Sequence, residues 1–314
     1  DKGNILFARV KLRWYNFFMK TTIVDDKFTA GLFPPRRSDS HKGTYGTLVI
    51  VGGSEKYVGA PYLAALGASA LRTGCGIVKI AAPEFLMPAL RSRVTECTLF
   101  PLNAENGHIR PDGKLAAATD GASAVICGMG IGDTPATAET VRFLLDTLKC
   151  PLLLDADALN ALSKDLSVLD GHRQSVVITP HIGEMSRLIK KDTAFVKENK
   201  QSAAEKFAAE YNAVVLLKDN ESVITDGSET LINRAGTPAM AKGGSGDLLA
   251  GIIGGMLARG VPALYSAAAG AYIAGKAAEK AVKNSNEYSL LPSETAAYVA
   301  DAVTEIINKN KKEA

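Results

Sequence analysis

The sequence predicts a three-layer α/β/α sandwich, in which helices cover both faces of a mostly parallel β-sheet. Three observations support this fold class. Short β-branched segments that are apolar throughout recur along the chain, amphipathic helical segments separate them, and turn-forming residues follow the apolar segments. Such strands are typical of a parallel sheet buried on both faces, and regular alternation of strand and helix is its signature.

The periodicity places the elements in a regular order. Strands are predicted at residues 47–51, 77–81, 124–127, 152–154, 176–179 and 214–217, and helices at 61–73, 84–93, 136–149, 182–190 and 193–211. After residue 218 the pattern changes, because the segments 222–225 and 229–233 flank an Asp-Gly-Ser turn and predict a hairpin. Three further helices are predicted at 247–259, 262–283 and 293–308, and residues 309–314 are expected to fray.

The domain organisation follows from the absence of linkers. No segment rich in proline, serine or charge interrupts residues 42–308, so residues 19–314 are predicted to form a single domain. Residues 1–18 are rich in basic and aromatic side chains and precede Met19, which resembles a natural start. We interpret them as an extra N-terminal tail, either non-native or upstream of the fold. The alternative is a surface-binding arm, since such segments also lie on membranes.

Composition excludes several classes of function. The 314 residues are 46% hydrophobic and 22% charged with a net charge of +3, which is typical of a soluble globular protein and favours neither nucleic acid nor membrane as a partner. No run reaches the roughly 18 apolar residues of a membrane span. The four cysteines, Cys75, Cys97, Cys127 and Cys150, form no Cys-x-x-Cys pair. They predict buried thiols in a reducing, cytoplasmic setting.

A glycine-rich loop before an apolar helix is the most informative feature of the chain. Gly243, Gly244 and Gly246 allow backbone N–H groups to approach a ligand, and Asp247 begins the predicted helix. Unpaired N–H groups at a helix start favour anions, so the loop predicts phosphoryl chemistry with a carboxylate beside the phosphate. In that field Asp247 is expected to stay ionised. The alternative is that Asp247 only caps the helix.

Polar residues follow several predicted strands, where ligands bind in open α/β sheets. Asp155 and Asp157 follow one strand, and they can hold Mg²⁺ through water, or one can cap a helix while the other binds a ligand hydroxyl. Glycines 128, 130 and 132 follow another strand and indicate either a ligand loop or a tight turn. His181 follows a third strand and suits either a hydrogen bond to a ligand or a helix cap.

The motifs together carry a family resemblance. They are Ser40-His41-Lys42-Gly43-Thr44-Tyr45-Gly46, Gly59-Ala60-Pro61, Leu154-Asp155-Ala156-Asp157-Ala158-Leu159-Asn160, Thr179-Pro180-His181-Ile182-Gly183-Glu184 and the segment from Gly236 to Asp247. With these motifs in this order, the chain resembles the ADP-dependent NAD(P)H-hydrate dehydratases of the ribokinase-like superfamily over residues 34–308. The resemblance implies the ribokinase-like form of the predicted sandwich.

The resemblance also implies a reaction, a lyase reaction that repairs damaged cofactor. The S-epimers of the nicotinamide hydrates NADHX and NADPHX would be dehydrated to NADH and NADPH, with ADP as co-substrate and AMP and phosphate as products. The ring hydroxyl would be phosphorylated and the phosphate then eliminated. Mg²⁺ is the implied cofactor.

Site residues are carried over from the resemblance position by position. Asp247 is the implied base, and the amides of Gly244, Ser245 and Gly246 the implied anion hole. The implied contacts to the hydrate are Ala60, Gly130, His181, Asp247, Asp157 and Asn160. The implied contacts to ADP or AMP are Lys218, Asp219, Asn220, Glu221, Ser222 and Gly246, although an ordinary solvated turn would read similarly at 218–222. Glu184 is implied to act on Mg²⁺ through water.

The resemblance implies partners too, and alternatives remain. Because the sequence leaves no room for the epimerase domain of many relatives, the chain is expected to act on one epimer and to rely on a separate NAD(P)H-hydrate epimerase or on spontaneous exchange. A homotetramer is the implied assembly. The alternative enzyme is an ATP-dependent kinase of the same superfamily that phosphorylates a vitamin-like alcohol. The alternative outside catalysis is a nucleotide-binding protein without activity, which the intact glycines and Asp247 disfavour.

Overall fold

The structure, a computed structural model, describes residues 20–66 and 72–313. The predicted tail at 1–18 lies outside the described residues, as does part of the predicted helix at 61–73. Within the described part of the chain, no helix is long and apolar enough to cross a membrane.

A ten-stranded sheet forms the centre of the fold. Its strands are β1 (Lys20–Ile23), β2 (Thr47–Val51), β3 (Ile77–Pro83), β4 (Thr98–Leu102), β7 (Ala124–Cys127), β8 (Leu152–Leu154), β9 (Val176–Ile178), β10 (Ala213–Leu217), β11 (Ser222–Thr225) and β12 (Glu229–Asn233). The short strands β5 (Ala104–Glu105) and β6 (His108–Ile109) pair separately. The order across the sheet is β1-β12-β11-β10-β9-β8-β7-β2-β3-β4, and every pair is parallel except the two that involve β11.

Helices cover both faces of this sheet. In chain order they are α1 (Asp26–Gly31), α2 (Ala60–Ala65), α3 (Met87–Arg91), α4 (Gly113–Thr119), α5 (Pro135–Thr147), α6 (Asp157–Lys164), α7 (Ile182–Ile189), α8 (Thr193–Glu198), α9 (Lys200–Tyr211), α10 (Ser245–Ala258), α11 (Ala263–Ala281), α12 (Pro292–Ala297) and α13 (Val299–Glu313). Helices α1–α3 and α10–α13 contribute to one hydrophobic core, and α4–α9 contribute to the other.

Alternation along each strand divides its side chains between the two cores. In β2, Leu48 and Ile50 face the first core, whereas Val49 and Val51 face the second, and all four are fully buried. This is why the strands are apolar at every position. The three-layer fold class is therefore confirmed, as is the antiparallel hairpin formed by β11 and β12.

Glycine brings α10 close to its neighbours. A Cβ at Gly251 would lie 1.9 Å from the carbonyl oxygen of Ala64 in α2, so the two helices pack in direct backbone contact. The glycines of α11 serve the same purpose within the chain, since a Cβ at Gly270 would lie 2.5 Å from the Ile253 side chain. Close packing fixes the start of α10 against α2.

Several boundaries differ from the predictions. The predicted helix at 193–211 is two helices that meet at Asn199, and the one at 293–308 is divided at Tyr298. The helix α13 continues to Glu313, beyond the predicted end at residue 308. The strands β1 and β4 were missed. Both lie at the ends of the described sheet, where the strand pattern is weaker, and β4 contains Pro101.

Candidate active site

The candidate site lies at the carboxyl edge of the sheet. Parallel strands end at the same edge, so the residues that follow β7, β8, β9 and β10 are brought together although they are far apart in sequence. His181, after β9, and Lys218, after β10, form an isolated parallel bridge, and the Lys218 N–H donates to the carbonyl of Pro180 at 2.7 Å. The start of α10 meets these strand ends.

The glycine loop presents free amides at the start of α10. Gly244 caps the helix with φ at 96°, and a Cβ there would lie 2.6 Å from Leu63 Cδ1. The Ser245 N–H donates to the Lys242 carbonyl at 3.2 Å and is thus engaged in the loop itself. Within the described part of the chain, the N–H groups of Gly244, Gly246 and Asp247 donate to no acceptor. Free N–H groups at the positive end of a helix favour an anion, as the glycine loop predicts.

A buried ion pair lies against this loop. Asp155 is 2% exposed, and its Oδ1 accepts hydrogen bonds from the Thr179 hydroxyl and the Lys218 ammonium, each at 2.8 Å. Lys218 Nζ is also 3.9 Å from Glu184 Oε2. A Cβ at Gly246 would lie 3.4 Å from Asp155 Oδ2 and 3.7 Å from Lys218 Nζ. The pair therefore flanks the first turn of α10.

Backbone strain places the two aspartates of the β8 motif. Ala156, between them, has φ at 51° and ψ at −117°, a conformation that costs a non-glycine residue about 1–3 kcal/mol. The Asp155 N–H donates to the Cys127 carbonyl, and the Asp157 N–H donates to the Gly128 carbonyl, which hold this conformation. Asp155 thereby points to α10, whereas Asp157 Oδ2 accepts the Gly132 N–H at 2.8 Å.

Asp247 titrates near neutrality in this setting. Burial raises the pKa of Asp247 to about 7, with a further increase from Asp155, while Lys218 opposes the shift. The prediction that the helix start keeps Asp247 fully ionised is therefore wrong, since loss of solvent outweighs the helix field. A carboxyl with this pKa can accept and release a proton at neutral pH.

The neighbouring ionisable groups differ in charge. Burial, Lys218 and Arg187 lower the pKa of His181, whose Nδ1 accepts the N–H groups of Gly183 and Glu184 at 2.9 and 3.2 Å. Burial raises the pKa of Glu184, whose Oε2 accepts the His181 N–H at 2.8 Å. Although burial acts against it, the carboxylates raise the pKa of Lys218, so its ammonium stays charged.

The residues predicted to contact the hydrate fall into two neighbouring groups. Gly130 has φ at 65°, and a Cβ there would lie 2.9 Å from the Ala60 Cβ, at the start of α2. One turn along α2, Leu63 contacts the glycine loop that leads to Asp247. The second group is Asp157, Asn160 and His181. It is linked through α6 and α7, because Asn160 Oδ1 accepts a hydrogen bond from Arg187 Nε at 3.1 Å.

The turn after β10 presents few free charges to a nucleotide. Asp219 pairs with Lys200 at 2.8 Å, and Glu221 pairs with Arg234 at 2.8 Å. The Ser222 hydroxyl donates to the Asp219 carbonyl at 3.1 Å and closes the turn. Lys218 itself faces Asp155. The turn therefore offers backbone groups and the exposed Asn220 to a ligand.

No direct metal centre is formed by the described residues, because they contain no group of three or more His, Cys, Asp or Glu side chains placed to hold an ion. One observation suits a hydrated Mg²⁺. Asp155 Oδ2 accepts no hydrogen bond from the described residues. Glu184 Oε2 lies 3.9 Å from the Lys218 ammonium, which Asp155 Oδ1 also contacts. Oxygen atoms of this kind suit a hydrated Mg²⁺.

Comparison with known proteins decides the family. A sequence model described as NAD(P)H-hydrate dehydratase matches residues 48–300. The chain belongs to the NAD(P)H-hydrate dehydratase family. It is 38% identical over 252 residues to the ADP-dependent (S)-NAD(P)H-hydrate dehydratase of Cenarchaeum symbiosum, with 79% of this chain and 85% of that protein covered. The family membership predicted from the motifs is thus confirmed.

Longer relatives match over part of their length. The bifunctional NAD(P)H-hydrate repair enzyme of Salinibacter ruber is 39% identical over 254 residues, which cover 79% of this chain and 46% of the relative. The chain spans about half the length of the bifunctional relatives it matches.

Solved structures agree with the family and fold. The ADP/ATP-dependent NAD(P)H-hydrate dehydratase of Bacillus subtilis, co-crystallized with ATP and Mg²⁺, superposes with a TM-score of 0.79 at 28% identity, covering 92% of this chain and 100% of that chain. A ribokinase-like superfamily protein of Enterococcus faecalis superposes with a TM-score of 0.80 at 22% identity, covering 92% and 98%. The ribokinase-like form of the sandwich is therefore confirmed.

Two features of the site were not predicted from the sequence. Asp155 was recognised within its motif but not as the partner of Lys218, and Arg187 was not considered. The strand-end position of Asp155 was the available signal. The pairing itself joins residues 63 positions apart.

Proposed function

We propose that this chain dehydrates the S-epimers of NADHX and NADPHX to NADH and NADPH, with ADP as co-substrate. The observation that carries the proposal is the position of Asp247, a carboxyl with a pKa of about 7 in the first turn of a helix whose amides at Gly244 and Gly246 are free. A proton acceptor beside an anion site is what phosphoryl transfer to a hydroxyl requires.

The chemistry proceeds in two steps. Asp247 accepts the proton of the ring hydroxyl as its oxygen attacks the β-phosphorus of ADP, so that an oxygen–phosphorus bond forms and AMP leaves. The bond from the ring carbon to the phosphate oxygen then breaks, and the adjacent ring carbon loses a proton to solvent, which leaves the double bond of the reduced nicotinamide. NADH or NADPH and inorganic phosphate are released. Phosphorylation thus converts hydroxide, a poor leaving group, into phosphate.

The anion site and the ion pair serve the first step. The free amides of Gly244 and Gly246 would donate to the oxygens of the transferring group, with the Ser245 amide joining them if its loop bond opens. Lys218, held by Asp155, would supply a fixed positive charge beside them. Mg²⁺, when bound, neutralises phosphate charge, and Glu184 and Asp155 would hold it through water.

The remaining contacts divide between the two substrates. We assign Ala60, Gly130, Asp157, Asn160 and His181 to the hydrate, and the turn at 218–222 with Gly246 to ADP or AMP. We further propose a single domain over residues 19–314, a cytoplasmic location, a homotetramer and a separate epimerase that supplies the S-epimer. Light scattering coupled to gel filtration tests the assembly.

The deciding experiment measures recovery of the reduced nicotinamide. The purified chain is incubated with NADHX and ADP, or with NADHX and ATP, and the absorbance of NADH is followed while phosphate is assayed. With ADP we expect NADH, AMP and phosphate in equal amounts. If neither nucleotide restores NADH, the proposal is wrong. Stable transfer of phosphate from ATP to a vitamin-like alcohol would favour the kinase alternative instead.

A further inference from the structure

Arg187 occupies the hydrate side of the site. It lies in α7, one turn after Glu184, and its side chain is exposed. Its Nε donates to Asn160 Oδ1 at 3.1 Å. A Cβ at Gly183 would lie 3.8 Å from Arg187 Nη1 and 3.0 Å from the His181 ring. The guanidinium therefore lies between Asn160 of α6 and the start of α7, near two residues already assigned to the hydrate.

This guanidinium forms no ion pair with the described residues, in contrast to three arginines elsewhere on the surface. Arg37, Arg142 and Arg234 each form an ion pair with a carboxylate at 2.5–3.2 Å. Arg187 has no carboxylate within ion-pair distance among the described residues, and Asn160 takes one of its five N–H donors. Its charge nonetheless acts on the site, since it lowers the pKa of His181.

The nearby carboxylates are already engaged. Asp155 and Glu184 face the Lys218 ammonium, and Asp157 accepts the Gly132 N–H. Four N–H donors of the Arg187 fork are left for a ligand. A planar guanidinium of this kind matches two oxygens of a phosphate at once, with stronger hydrogen bonds than neutral donors make.

We propose that Arg187 binds a phosphate group of the dinucleotide hydrate. This inference rests on the proposed function, since it names the residue that recognises the phosphate of that substrate. Two phosphates have the required chemistry. They are the pyrophosphate, which NADHX and NADPHX share, and the 2′-phosphate, which only NADPHX carries. We assign the phosphates of ADP to the free amides of α10 and to Lys218, whose Nζ lies 3.9 Å from Glu184 Oε2.

The test measures binding of NADH, NADPH and ADP separately by titration calorimetry. The variants are Arg187→Gln, which removes the charge and the fork, and Arg187→Lys, which keeps the charge. Arg142→Gln is the matched control, because it removes a surface arginine that is already paired with Asp165. Melting temperatures check that each variant is folded.

We expect Arg187→Gln to raise the Kd of the dinucleotide about tenfold or more, as loss of charged hydrogen bonds does, and to leave the Kd of ADP unchanged. Arg187→Lys recovers part of the loss, and Arg142→Gln changes nothing. If Arg187→Gln weakens the binding of both NADH and NADPH, the bound group is the pyrophosphate. If it weakens the binding of NADPH alone, the bound group is the 2′-phosphate. Unchanged dinucleotide binding, or an equal loss of ADP binding, overturns the inference.

Turnover separates this inference from the proposed function. If the wild-type chain fails to restore NADH from NADHX but binds the dinucleotide through Arg187, only the proposed function is wrong. If it restores NADH with a KM for NADHX that Arg187→Gln does not change, only the inference is wrong. If the wild-type chain binds neither NADH nor NADPH, the assignment of Arg187 is refuted as well.

Discussion

Replacing Asp247 with asparagine removes the proposed base while keeping its size. Asparagine cannot accept a proton at neutral pH, so the Asp247→Asn variant is expected to lose ~10²–10⁴ in kcat, the usual contribution of a positioned base. In the wild-type chain, kcat/KM should fall about tenfold per pH unit below 7, because the base works only when ionised and its pKa is about 7.

The same substitution should increase the free energy of unfolding. The direction of this change follows from the difference between the folded and unfolded pKa of Asp247. The folded state raises the pKa of Asp247 from 3.8 to about 7, so it favours the protonated carboxyl. Folding is therefore less favourable with Asp247 ionised than with it neutral, by at most about 4 kcal/mol. This cost is absent below the unfolded pKa and complete above the folded one. Asparagine carries no charge and avoids the cost.

The assay compares melting temperatures at two pH values. Asp247→Asn should melt at least about 2 °C above the wild-type chain at pH 8, and the difference should vanish near pH 4. Asp165→Asn is the matched control, since it removes an exposed carboxylate outside the site and should leave kcat unchanged. Turnover of Asp247→Asn within a few fold of wild type, or a stability gain equal at both pH values, would refute the reasoning.

Two further predictions follow from neighbouring residues. Asp155→Asn removes a negative charge beside Asp247, so the acid limb of the kcat/KM profile should move to lower pH, whereas in Asp165→Asn it should stay in place. Gly130→Ala introduces a Cβ 2.5 Å from the Tyr57 Cβ at a φ of 65°, which should lower stability by about 1–3 kcal/mol in denaturant melts and raise the KM for NADHX. An unchanged KM would place Gly130 outside the hydrate site.

Much of the fold was predictable because its signals are local. Strands buried on both faces must be apolar throughout, so β2, β7 and β8 were located at their observed bounds. The strands at the ends of the described sheet, β1 and β4, were not. They carry a weaker pattern, and pairing with a single neighbour tolerates a proline such as Pro101.

The sequence by itself determined the family, the glycine loop and the carboxylate that follows it. These depend on residues adjacent in the chain, where the conformational freedom of glycine and the start of a helix are visible in the order of letters.

Tertiary structure alone decided the charges of the site. Asp155 and Lys218 meet because the parallel strands before them end at one edge of the sheet, and the start of α10 brings Asp247 to them. Electrostatic energy depends on distance and burial, neither of which the sequence displays. The neutral-range pKa of Asp247 and the unpaired guanidinium of Arg187 are therefore properties of the folded chain.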